Sequence, residues 1–129
     1  MGSKNKLKRF RENETFANVI QPNREEVIAG NFPLKGVWAR DFFKNNHPIV
    51  LELGCGRGEY TVNLAKEYPD KNFIGVDIKG ARFWRGAKTA LEEQIPNAAF
   101  LRTQIELIDH LFAQGEVSDD PLHRQSALA

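Results

Sequence analysis

The apolar run Ile49-Val50-Leu51-Glu52-Leu53 passes without a break into Gly54-Cys55-Gly56-Arg57-Gly58-Glu59-Tyr60, and Asp77 closes a second apolar run nineteen residues after Gly58. A strand that ends in a glycine-rich turn and opens a helix, with an acid at the end of the next strand, directs the chain toward an open α/β sheet with its ligand crevice at the strand ends. The glycines stand as G-x-G-x-G. A dinucleotide fingerprint, G-x-G-x-x-G, needs its third glycine at position 59, where the chain carries Glu59. The pattern therefore points to S-adenosylmethionine and away from a nicotinamide nucleotide. Glycine tolerates backbone angles that a side chain forbids and lets the main chain approach a ligand closely. Glu52, on the strand before the turn, suits the amine and sulfonium of the cofactor's methionine part. Asp77 is placed to accept hydrogen bonds from both ribose hydroxyls. Gly54, Cys55, Gly56, Gly58 and Ile78 complete this expected contact set. A tight turn beside a solvated aspartate explains either half of the pattern alone and leaves the spacing a coincidence.

The rest of the chain fits the same architecture. Pro22, Gly30, Pro33 and Gly36 break the first third into short pieces, so residues 1–34 read as an extension outside the core. Trp38, Phe42 and Phe43 fall on one helical face and read as packing residues. Ile49 to Leu53, Asn72 to Asp77 and Ala98 to Arg102 read as strands. Leu64, Ala65 and Tyr68, then Ala81, Trp84, Ala87 and Leu91, then Ile105, Ile108, Leu111 and Phe112, give the helical faces between and after them. Strand and helix alternate three times, which implies a Rossmann-like α/β domain with parallel strands over residues 35–118. Thr103 and Gln104 lie at the ligand edge, where they would either hydrogen-bond the adenine amino group or simply cap a helix.

A chain of 129 residues buries one core, which gives no case for a second domain. Cys55 is the single cysteine, so no internal disulfide is available; a reducing compartment and a cytoplasmic location are the expectation. Its place between two glycines suits a small filler better than a nucleophile. No metal site is expected. No apolar run approaches the length of a membrane span, and the basic start leads into polar Glu12-Asn13-Glu14 instead of a signal-peptide core. Net charge is only +1, yet Lys4, Lys6, Lys8, Arg9 and Arg11 all precede the first acidic residue, and Lys79, Arg82, Arg85 and Lys88 form a second basic cluster. Either cluster could meet nucleic-acid phosphates; the alternatives are a solubilising tail and an ordinary charged helix face.

Residues 1 to about 117 resemble the amino-terminal half of the bacterial tRNA (guanine-N7-)-methyltransferases. The resemblance rests on Glu52 to Tyr60, on Phe73-Ile74-Gly75-Val76-Asp77-Ile78-Lys79-Gly80-Ala81-Arg82, on Phe100-Leu101-Arg102-Thr103-Gln104-Ile105-Glu106, and on Lys6-Leu7-Lys8-Arg9-Phe10. It implies the class I S-adenosylmethionine-dependent methyltransferase fold. Glu52, the turn glycines, Asp77, Thr103 and Gln104 would then hold the cofactor, while Lys6, Lys8, Arg9, Arg11, Lys79 and Arg82 would face tRNA. It also implies methyl transfer to N7 of a guanine, whose lone pair needs no general base, so catalysis would rest on positioning and electrostatics around an extruded nucleotide.

The chain departs from that family after its third helix. The family continues with a fourth strand ending in a Pro-Asp-Pro type motif that carries a catalytic Asp; here the sequence runs on as a short polar tail, residues 119–129, in which His123 is the only notable side chain. No catalytic residue is therefore assigned. The tail reads as unrelated sequence of the kind a frameshift, misassembly or early stop would produce. The expectation is an incomplete domain with its first strand left as an open edge, and hence marginal stability and weak cofactor binding. A binding module without turnover, an inert fragment and a dehydrogenase half-domain are the alternatives, the last disfavoured by Glu59.

Overall fold

A computed structural model describes residues 2–118, so the tail and His123 lie outside the described residues. A parallel sheet of four strands is built from β1 (Val19–Ile20), β2 (Ile49–Leu53), β3 (Asn72–Asp77) and β4 (Ala98–Arg102), in the order β1-β4-β3-β2. Around it stand α1 (Gly2–Asn13), α2 (Arg24–Ile28), α3 (Glu59–Glu67), α4 (Gly80–Glu92) and α5 (Ile108–Leu111), with a single π-helical turn at Trp38–Phe43.

Side chains alternate across the three long strands. Ile49, Leu51, Ile74, Val76, Ala99 and Leu101 enter one core with Trp38, Ile108 and Phe112, while Val50, Phe73, Ala98 and Phe100 enter the other with Val62, Phe83 and Ala87. A sheet covered on both faces explains why these strands read as nearly continuous apolar runs.

The first third of the chain departs from its reading as an extension. Val19 and Ile20 pair with Phe100 and Leu101, and the Phe100 N–H donates to the Asn18 carbonyl at 2.8 Å. Val27 of α2 is fully buried, and α1 lies along α4. A strand of two residues is too short to show periodicity, and the prolines and glycines around it mark turns between packed pieces.

At the other end, Val117 forms a parallel bridge with Ile49, and the Ser118 N–H donates to the Ile49 carbonyl at 2.7 Å. The β2 edge read as open is thus covered at its first residue, and among the described residues no strand continues along it. The Glu116 carboxylate anchors this region, accepting from the N–H groups of Gly36 (2.7 Å), Trp38 (3.0 Å) and Ala113 (2.8 Å).

Candidate functional site

The parallel register brings the ends of β2, β3 and β4 to one edge: Leu53 lies beside Val76, and Asp77 beside Arg102. From that edge the chain turns through Gly54, Gly56 and Gly58, all with positive φ (71°, 57° and 82°). The N–H groups of Gly54 and Cys55 both donate to the Val76 carbonyl, at 2.7 and 3.0 Å, which holds the turn against β3. Asp77 completes the bracing. One carboxylate oxygen accepts from the Gly56 N–H and the other from the Lys79 N–H, each at 3.0 Å, so a single side chain ties the glycine turn to the start of α4.

The glycines do two kinds of work. A Cβ on Gly54 would meet nothing within 4 Å, so the space over the turn is open. A Cβ on Gly58 would lie 2.6 Å from the Phe100 ring, so Gly58 is fixed by packing. Gly75 and Gly86, which the sequence pattern does not single out, have the same role: added Cβ atoms there would come within 2.8 and 2.9 Å of Phe100. The four-residue contact of Gly58, Gly75, Gly86 and Phe100 sets how closely α3 and α4 approach under the turn.

Cys55 is half-buried, and burial pushes its thiol up, with the charges of Asp77 and Glu52 adding to the effect. A thiol held protonated makes a poor nucleophile or metal ligand, in keeping with the filler role. Among the described residues no group of His, Cys, Asp and Glu is arranged to hold a metal ion. No helix among them is long and apolar enough to cross a membrane.

Ile78 is exposed beyond Asp77, where it lines a small pocket of about 240 Å³ together with Pro22, Arg24, Thr103 and Gln104. The Thr103 hydroxyl donates to the Gln104 carbonyl at 3.2 Å, and the Gln104 side-chain oxygen accepts from Arg24 Nε at 3.4 Å. Glu52, half-buried in β2 and registered beside Gly75 of β3, is near enough to the turn for its charge to act on Cys55. The residues read as cofactor contacts are thus gathered at one edge, and they suit S-adenosylmethionine: open space over Gly54, a fixed carboxylate at Asp77 and an exposed apolar side chain at Ile78.

The two basic clusters converge. Lys6 and Arg9 of α1, Lys79 and Arg82 at the start of α4, and Arg102 line one groove of about 730 Å³. Lys8 and Arg11 are exposed on α1 outside its lining. Arg102 was not legible as a functional residue, because a single arginine ending an apolar strand carries no pattern. It lines both groove and pocket, and its Nε is buried without a hydrogen-bond partner. Arg82 reaches further: its Nη2 lies 3.3 Å from where a Cβ of Gly56 would stand.

Curated relatives share most of this chain. A tRNA (guanine-N(7)-)-methyltransferase of Christiangramia forsetii is 72% identical over 92% of this chain and 53% of the relative. Proteins of the same name from Porphyromonas gingivalis and Bacteroides fragilis are 68% and 55% identical, over 82% and 90% of this chain and 44% and 46% of their own lengths. The chain spans about half the length of the curated relatives it matches. Residues 46–119, which hold β2, the glycine turn, Asp77 and β4, match the family model described as "Putative methyltransferase", and the chain belongs to that methyltransferase family.

Proposed function

We propose that this chain is the cofactor-binding part of a tRNA (guanine-N7-)-methyltransferase that acts in the cytoplasm. The observation that carries the cofactor reading is Asp77, held on both oxygens by the Gly56 and Lys79 N–H groups beside an open glycine turn. The names of the relatives support tRNA as the substrate. When bound, S-adenosylmethionine supplies a methyl group on a sulfonium, which the lone pair of a neutral guanine N7 can take without loss of a proton.

The chain's own residues would bind and orient. Asp77 keeps lone pairs free for ribose hydroxyls, since each oxygen accepts one backbone hydrogen bond. Glu52 would face the cofactor's cationic part and Ile78 its adenine. Gln104 would serve the adenine edge better than Thr103, whose hydroxyl is engaged by its neighbour's carbonyl. Lys6, Arg9 and Lys79 would meet tRNA phosphates along the groove that Arg82 also lines, with Lys8 and Arg11 adding charge on the outer side of α1.

Isothermal titration with S-adenosylhomocysteine tests the reading. Binding is expected in the wild type and a loss of about tenfold or more in Asp77→Ala, since charge-assisted hydrogen bonds would go. A folded wild-type chain that takes no S-adenosylhomocysteine would overturn it. Transfer of labelled methyl to tRNA separates an enzyme from a binding module.

A further inference from the structure

We propose that Arg82 is the ligand for the carboxylate of the cofactor's amino-acid part, an assignment that rests on the S-adenosylmethionine reading above. Sequence spacing groups Arg82 with the phosphate-facing cations of α4, and it does line the basic groove. Its tip, however, lies on the glycine turn. Nη2 and Cζ stand 3.3 and 3.9 Å from the position a Cβ of Gly56 would occupy, so the guanidinium covers the face of the turn that glycine leaves bare.

The charges around the turn are arranged by sign. Asp77 and Glu52 act on Cys55 in one sense and Arg82 in the other, which places this thiol within reach of acid and base alike. A zwitterionic amino-acid group needs that arrangement: acids for its ammonium and neighbouring sulfonium, a cation for its carboxylate. The start of α3 adds to the cationic side, because Gly58 offers it no capping side chain and the positive end of the helix dipole faces the turn. A planar guanidinium matches a carboxylate in two parallel hydrogen bonds, which a point charge does not.

The test removes the carboxylate from each side in turn. Calorimetry compares S-adenosylmethionine with decarboxylated S-adenosylmethionine, which keeps the amine and sulfonium, on the wild-type chain, Arg82→Ala and Arg82→Lys. Because Arg82 is exposed, the expected loss for S-adenosylmethionine in Arg82→Ala is roughly threefold to tenfold. Decarboxylated ligand should bind that variant as well as the wild type or more tightly, since a repelling charge has gone. Arg82→Lys should recover part of the preference. Equal weakening of both ligands would make Arg82 a packing residue and overturn the assignment. So would an unchanged preference in Arg82→Ala, with or without a loss of RNA affinity, which would confine Arg82 to the groove. If neither ligand binds the folded wild-type chain, the cofactor reading itself fails, and this assignment with it.

Discussion

Gly86 stands in the middle of α4, where alanine is ordinarily the better helix former by about 1 kcal/mol. Here a methyl group would meet the Arg57 carbonyl oxygen, Gly58 Cα and Phe100 Cζ, each at 2.9 Å. The Gly86 N–H also donates to that carbonyl at 3.0 Å, so the turn cannot retreat without breaking a bond. The clash should outweigh the propensity gain. Gly86→Ala is expected to lower stability by about 1–3 kcal/mol, read as a lower urea midpoint at unchanged slope; a midpoint at or above the wild-type value would refute the packing role. The turn glycines are legible in the sequence because they follow an apolar run that announces a strand end. Gly86 is not, because its reason lies in a partner distant along the chain, and inside a helical pattern it reads only as a weak position.

Element α1 is held to α4 by polar contacts around one indole. Trp84 Nε1–H donates to the Glu12 carboxylate at 2.6 Å, Asn13 donates to the Gly80 carbonyl at 3.0 Å, and the guanidinium of Arg9 lies 4.6 Å from the centroid of the Trp84 ring, which Arg85 of α4 itself also approaches at 4.6 Å. The cation–ring contacts are each worth about 0.5–1 kcal/mol at such a site, so the indole N–H is a substantial share of the docking. Trp84→Phe keeps the ring and removes the donor. Trypsin should then cut at Lys6, Lys8, Arg9 and Arg11 several-fold faster, as mass spectrometry of the early fragments would reveal, and an unaltered cleavage pattern would show that α1 does not depend on this bond. Docking of this kind is invisible to periodicity, which is why α1 and β1 read as an extension. The strands β2, β3 and β4 show the opposite case: each is a compact apolar run bounded by proline, glycine or polar residues, and the structure places each at its expected bounds.

At the scale of the whole molecule, the two cores flank the sheet and Glu116 closes the assembly by joining the segment before the π-helical turn to the end of the described chain. Three backbone N–H groups converge on this one carboxylate, and they include both sides of the Trp38 region. Glu116→Ala would leave those donors without it, at a cost of about 1–3 kcal/mol. A fall in melting temperature of several degrees is expected by scanning calorimetry, and an unchanged Tm would mean that water replaces the carboxylate without loss. The gathering of the site was legible where strand ends carry it, at Glu52, the turn and Asp77. The groove was not, because its cations come from α1, α4 and β4 and meet only in the folded chain. Asp77 carries a last implication. In the proposed ribose role, Asp77 would offer a ligand hydroxyl an acceptor that cannot swing to follow it, since the main chain already fixes the direction of both its oxygens. Discrimination among sugars at this edge would then arise from stiffness: an epimer or deoxy analogue would lose its bond outright, with no compensating adjustment from the receptor.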